Sequence, residues 1–266
     1  MDIQCVDWQQ GDALQPQSFE HLFPKVDGVV HTLGTLLENN SYKHALREGN
    51  IPTLIRGLFH SFTGDSGNPL QKKAASTGYE SMNRDSALRV CAAFIASPRR
   101  TDLSDCDQTR PFIFVSAEDI FRPVIPARYI ETKWEAERGI QQMMRENTDY
   151  RGVYIRPSLV YHAHLRPLTT PAATLLDLSA AIHKKVPRSI PTPSSLLRSL
   201  GSTPSGVSSS SSPFESIANM LTIPPIHVDH VAEAICVAFE SQDVRGIVGV
   251  RRMRELIGWP VDGEGS

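Results

Sequence analysis

Short, uninterrupted apolar runs alternate along this chain with segments of helical period, and this alternation restricts the fold more than any other feature. The runs occupy residues 3–8, 28–33, 111–116, 153–156 and 246–250. A sheet with one wet face would leave every second side chain of such a run in water. Continuous runs suit strands buried on both faces, as in a parallel sheet. Between them, Ala87, Leu88, Cys91, Phe94 and Ile95 share one face of a helix over 86–97, and Ile130, Trp134, Ile140, Met143 and Met144 form a stripe over 129–145. Thr170, followed by Pro171, and Asp229 are placed to cap two later helices. Strand and helix in repetition predict an α/β fold, a doubly wound parallel sheet with helices on both faces.

Charge and cysteine usage exclude several functions. With 27 basic and 29 acidic residues the formal net charge is −2, which argues against a nucleic-acid partner. No apolar run approaches the ~18 residues of a membrane span. The four cysteines lie far apart with no C-x-x-C, which fits a reducing compartment and no zinc site. His162 and His164 form an H-x-H with no third ligand nearby, so no metal is expected there. The opening Met1-Asp2-Ile3-Gln4 has the character of neither a secretory signal nor an arginine-rich presequence. Residues 61–80 are predicted to be a surface loop. Residues 202–216, which include the run Ser208 to Ser212, hold little to bury and are predicted to be a mobile insertion.

The sharpest chemical signal is Tyr129-Ile130-Glu131-Thr132-Lys133. A tyrosine and a lysine four residues apart lie one above the other on a helix. An ammonium beside a phenol favours the phenolate, so Tyr129 is expected to titrate below ~10 and to serve as an acid or base. Ser116 ends an apolar strand ahead of this helix, where its hydroxyl can hold a substrate oxygen. His31, on an apolar strand, is expected to be a core histidine.

With Ser116, Tyr129 and Lys133 at this spacing, the chain resembles the short-chain dehydrogenase/reductase superfamily in its extended or atypical branch. Other segments agree. Asp27 to Gly34 resembles the strand that lines the cofactor, which assigns His31, Thr32, Leu33 and Gly34 to it. Gly11-Asp12 resembles the turn where an aspartate approaches the adenine. Asn83 resembles the central-helix asparagine. Arg156-Pro157-Ser158-Leu159-Val160-Tyr161 resembles the turn whose backbone meets the nicotinamide carboxamide, with Ser158 in place of the usual glycine. His230 stands where the late family segment has an aspartate. The resemblance implies hydride transfer with NAD or NADP, with Ser116 holding the substrate oxygen and Tyr129 exchanging a proton. Lys133 would lower the tyrosine pKa and bind the ribose. Leu33 to Glu38, Tyr42-Lys43 and Tyr79 to Ala87 narrow the likeness to a fungal mitochondrial branch associated with coenzyme Q biosynthesis, itself related to the nucleotide-binding accessory subunit of respiratory complex I. This implies a site on the matrix side of the inner membrane, peripheral to it, among subunits of a coenzyme Q biosynthetic complex. The role is that of an oxidoreductase acting on a small molecule, or of a non-catalytic nucleotide-binding assembly subunit.

One departure bears on the cofactor. The family opens with a glycine-rich G-x-x-G-x-x-G turn whose helix holds the pyrophosphate. The chain has none: Gly246 and Gly249 have the first spacing, but Arg252 takes the third place. The first strand-helix-strand unit is therefore expected to be missing, with the true start upstream and cofactor binding weakened. In the strand order 3-2-1-4-5 the missing strand is central, so the runs at 3–8 and 28–33 cannot both pair as the family requires. The expected organisation is a truncated dinucleotide-binding core over 1–160, then 161–266 with a small substrate region.

Overall fold

In the computed structural model, four apolar runs become strands of one parallel sheet. The structure describes residues 6–36, 78–97, 108–120, 122, 125–162, 169–187, 190–201 and 212–259. In chain order the elements are β1 (Val29–His31), α1 (Ser86–Ala96), β2 (Arg110–Val115), α2 (Ala127–Glu146), β3 (Tyr150–Arg156) and β4 (Val160–Tyr161). There follow α3 (Thr169–Lys185), α4 (Pro193–Gly201), α5 (Pro213–Thr222), β5 (Ile226–His227), α6 (Val228–Glu240), β6 (Gly246–Gly249) and α7 (Val250–Leu256). The main sheet runs β1-β2-β3-β6, all parallel, with Val30 opposite Ile113, Ile113 opposite Val153, and Ile155 opposite Val248. β4 and β5 form a separate parallel pair.

Strand alternation divides the core in two. Phe112 and Phe114 of β2 and Tyr154 of β3 point to one face, where they meet Ala87, Cys91 and Phe94 of α1 and Ala136 and Ile140 of α2. Ile113, Val153 and Ile155 point to the other face, against Val231, Ala234 and Ala238 of α6 and Met253 of α7. Period-2 side chains meeting helical stripes on both sides make a doubly wound layer structure. Arg151 lies within it at 1% exposure. Its guanidinium donates to the carbonyls of Ala238, Phe239 and Val244 at 2.9, 2.6 and 3.0 Å, which satisfies acceptors at the C-terminus of α6.

Several expectations are corrected. The run at 3–8 forms no strand in its described part, residues 6–8, and Trp8 is 84% exposed. β1 is the sheet edge among the described residues, so only one side of it is paired. The predicted insertion at 202–216 ends early: Ser212 accepts the Phe214 N–H and caps α5, whose Ser216 is buried. The rest of that segment, most of the predicted loop at 61–80, and His164 lie outside the described residues, while residues 78–80 are helical. His227, rather than Asp229, caps α6, by accepting the Asp229 N–H at its ring nitrogen.

Candidate functional site

Helix α2 starts directly after Pro126, whose carbonyl accepts the Tyr129 N–H. Tyr129 and Lys133 sit one turn apart on it. Lys133 is 2% exposed, and its Nζ donates to Leu33 O at 3.0 Å and Val115 O at 2.9 Å. One carbonyl lies just past β1 and the other ends β2, so the ammonium ties two neighbouring strands at their carboxyl ends, where ligands bind in open α/β sheets. The Phe114 ring lies 4.7 Å from Nζ. Burial lowers the Lys133 pKa to about 8, against a raising influence from Glu137. Gly34 allows this arrangement, since a Cβ there would come within 2.6 Å of Lys133 Nζ and 2.9 Å of Asn83 Oδ1.

Asn83, fully buried, fixes the same loop from the other side. It sits in a π-helical turn, Glu80–Asp85, that leads into α1. Such turns re-aim side chains and recur at functional sites. Its Oδ1 accepts the Thr35 N–H at 2.8 Å, and its Nδ2 donates to Thr35 O at 3.1 Å and Thr132 Oγ1 at 3.4 Å. Tyr79 O–H donates to Leu36 O at 3.0 Å. Residues 33–36 are therefore held by side chains from two helices. Tyr79 and Thr132 were not identifiable from sequence, because Tyr79 acts through a main-chain carbonyl and Thr132 through the Asn83 side chain, each remote in the chain.

Two buried polar groups beside this clamp lack partners among the described residues. The Ser116 N–H donates to Ile155 O at 2.8 Å, but its Oγ is unpaired at 3% exposure. Both ring nitrogens of His31 are unpaired as well, beside Phe112 and Phe114. Burial, then the Lys133 charge, lowers the His31 pKa to about 4, so the ring is neutral near pH 7.

Tyr129 corrects a second expectation. Burial, then the neighbouring Tyr79, raises its pKa to about 12. The Lys133 ammonium points to the two carbonyls and leaves the phenol un-ionised.

The remaining predicted positions are spread around this centre. Thr32, Leu33 and Gly34 are exposed at the end of β1. Arg156 turns toward α2, paired with Glu137 at 2.5 Å and stacked 4.7 Å from Trp134. The Pro157 carbonyl accepts the Glu118 N–H, Ser158 Oγ donates to Pro224 O at 2.6 Å, and Val160 pairs with Ile226. Asp12 lies in an exposed turn where its own carboxylate accepts the Leu14 N–H at 2.9 Å. The structure thus brings Ser116, Lys133, Asn83, His31 and Gly34 together and leaves Asp12 apart.

No protein-family model matches the chain. Over 166 residues it is 34% identical to MIOREX complex component 2 of Saccharomyces cerevisiae, an alignment covering 61% of this chain and 57% of that protein. The chain therefore spans little more than half the length of that relative. Among solved structures it is similar to RMD from Pseudomonas aeruginosa complexed with NADPH, at TM-score 0.45 and 14% identity over 94% of this chain and 69% of that one. It is also similar to UDP-glucuronic acid 4-epimerase from Bacillus cereus in complex with NAD, at TM-score 0.40 and 12% identity over 94% and 58%.

The residues fit one end of a nicotinamide dinucleotide. Ser116 offers an unpaired hydroxyl, Lys133 has one N–H left after its two carbonyls, and Gly34 keeps the main chain close to both helices. No glycine-rich turn offers a counterpart for the pyrophosphate.

Proposed function

We propose that this is a mitochondrial, NAD- or NADP-binding protein of the short-chain dehydrogenase/reductase type that supports ubiquinone synthesis as an oxidoreductase. The observation that carries the proposal is Lys133 spanning the carboxyl ends of β1 and β2, next to the unpaired hydroxyl of Ser116. The likeness to a yeast MIOREX complex component supports the mitochondrial setting. A nicotinamide bound there would supply the hydride chemistry. Ser116 donates to the substrate oxygen. Tyr129, held protonated by burial, is in the form that can donate a proton to a carbonyl oxygen. Lys133 uses its remaining N–H on the ribose. His31, Thr32, Leu33, Gly34 and Asn83 shape the slot, and Arg156, Pro157, Ser158 and Val160 flank it.

A second reading is a non-catalytic nucleotide-binding subunit that stabilises an inner-membrane assembly from the matrix side. It is favoured by the relative's membership of a complex and by Lys133 being committed to main chain rather than to Tyr129. Among the described residues no helix is long and apolar enough to cross a membrane. Tyr129→Phe separates the two readings. The oxidoreductase role requires that the variant, expressed in cells lacking the protein, fail to restore ubiquinone while still melting like wild type. Full restoration would refute proton transfer by Tyr129 and leave the assembly role.

A further inference from the structure

We propose that a second ligand site lies between α3 and α7 and takes a small ring-bearing anion, a phosphate or carboxylate attached to a flat ring. The cavity has a volume of about 440 Å³ and is bounded by Asp177 and Lys184 of α3, Arg251, Arg254 and Glu255 of α7, and Trp259. That volume lies within the range of small-molecule pockets, roughly 300–1,000 Å³. None of the residues of the strand-end site lines it, so the inference does not rest on the function proposed above.

The fold builds this site through the end of α7. Gly258 takes φ +82°, its N–H donates to Glu255 O at 3.0 Å, and the Trp259 N–H donates to Arg254 O at 2.9 Å. This is a Schellman turn, and it folds Trp259 back beside the last turn of the helix. The Arg254 guanidinium then stacks 4.7 Å from the Trp259 ring while donating to Pro225 O at 2.9 Å. His230 makes an edge contact with the indole, ring centroids 5.2 Å apart.

Charge selects the ligand. Both carboxylates are engaged: Asp177 by Arg254 at 3.4 Å and Glu255 by Arg252 at 2.9 Å. Arg251 has no hydrogen bond or ion pair among the described residues, and it lies three positions before Arg254, on the same side of α7. The rim therefore presents an uncompensated guanidinium next to an aromatic face. A guanidinium suits a phosphate or carboxylate, and an indole suits a ring.

Isothermal titration of the full chain with phenyl phosphate tests the proposal, with phenol and inorganic phosphate as half-ligands. Phenyl phosphate should bind at least about ten-fold more tightly than either half, and Arg251→Gln should weaken it by about ten-fold, the scale of one charged hydrogen bond. Arg251 is exposed and unpaired, so its variant should melt at the wild-type temperature. Trp259→Leu should lose the preference for phenyl phosphate over inorganic phosphate. Three results would each overturn the site: no heat at millimolar phenyl phosphate, equal affinity in Arg251→Gln, or loss of phenyl phosphate binding in Ser116→Ala, which would put the ligand in the strand-end slot.

Discussion

Lys133→Met should change how stability depends on pH, by an amount set by the burial of the ammonium. Methionine keeps the length and apolar stem of the side chain. It removes the ammonium that lies between Leu33 O and Val115 O. In the unfolded chain this ammonium titrates near 10.5, and in the fold burial brings it to about 8. Between those values the unfolded state holds a proton that the folded state has lost, so stability rises with pH. The stability is fully present above the unfolded value and is lost as pH falls toward about 8. The whole span corresponds to about 3 kcal/mol. Cys91 complicates a direct measurement, because burial raises its thiol to about 12, and ionisation in the unfolded chain alone lowers stability above pH ~9. The difference between wild type and variant cancels that contribution. Urea denaturation at pH 7.5 and 9.5 should therefore show wild type gaining about 2 kcal/mol on Lys133→Met across the interval. A constant difference at the two pH values would refute the claim that burial disfavours the Lys133 ammonium.

Two further predictions concern the same region. His31→Leu should flatten the acid limb of the stability curve: in wild type, stability present above pH ~6.5 is lost as pH falls to about 4, by on the order of 3 kcal/mol, because the unfolded ring takes a proton that the buried ring refuses. Denaturation at pH 4.5 and 7 checks this, and equal losses in both proteins would count against it. Gly34→Ala should destabilise by about 1–3 kcal/mol, since its methyl would press on a lysine anchored to two carbonyls. In Lys133→Ala the same change should cost much less, and additivity in that double-mutant cycle would show that the strain lies elsewhere.

Much of the fold was legible because buried parallel strands are apolar at every position. That signal located β1, β2, β3 and β6, and the helical stripes located α1, α2 and α6. The same signal overreached at residues 3–8, because apolar character does not reveal whether a pairing partner exists. Arg151 and Arg110 escaped notice for the opposite reason. Both are charged residues inside strands, and each is buried only because main-chain carbonyls distant in sequence converge on it, as those of Phe23 and Val26 do on Arg110. At the site, spacing brought Tyr129 and Lys133 onto one helical face but could not say where a flexible ammonium would reach. The nearest favourable acceptors were the strand-end carbonyls, and burial then acted on Tyr129 with no cation to oppose it. For the second cavity a local cue did exist: Gly258 directly follows a basic helix, as a C-terminal cap should. The cavity itself needed α3, 74 residues before Arg251 counted from Asp177, to be brought alongside.

The distribution of polar burial is itself an argument for function at the strand ends. Arg151, in the core, donates to three carbonyls through its two terminal nitrogens, and only its Nε lacks a partner among the described residues. At the ends of β1 and β2 the balance is different. Among the described residues the Ser116 hydroxyl and both His31 ring nitrogens are buried without partners, and Lys133 is buried with its pKa displaced downward. A buried unpaired polar group costs about 1–3 kcal/mol, and apolar residues of similar shape would remove the cost. Two such groups beside a buried lysine, within one strand-end cleft, are hard to account for by stability. They are the expected state of a cleft whose hydrogen-bonding partner is a ligand, and this predicts that a bound ligand will raise the melting temperature of wild type more than that of Ser116→Ala.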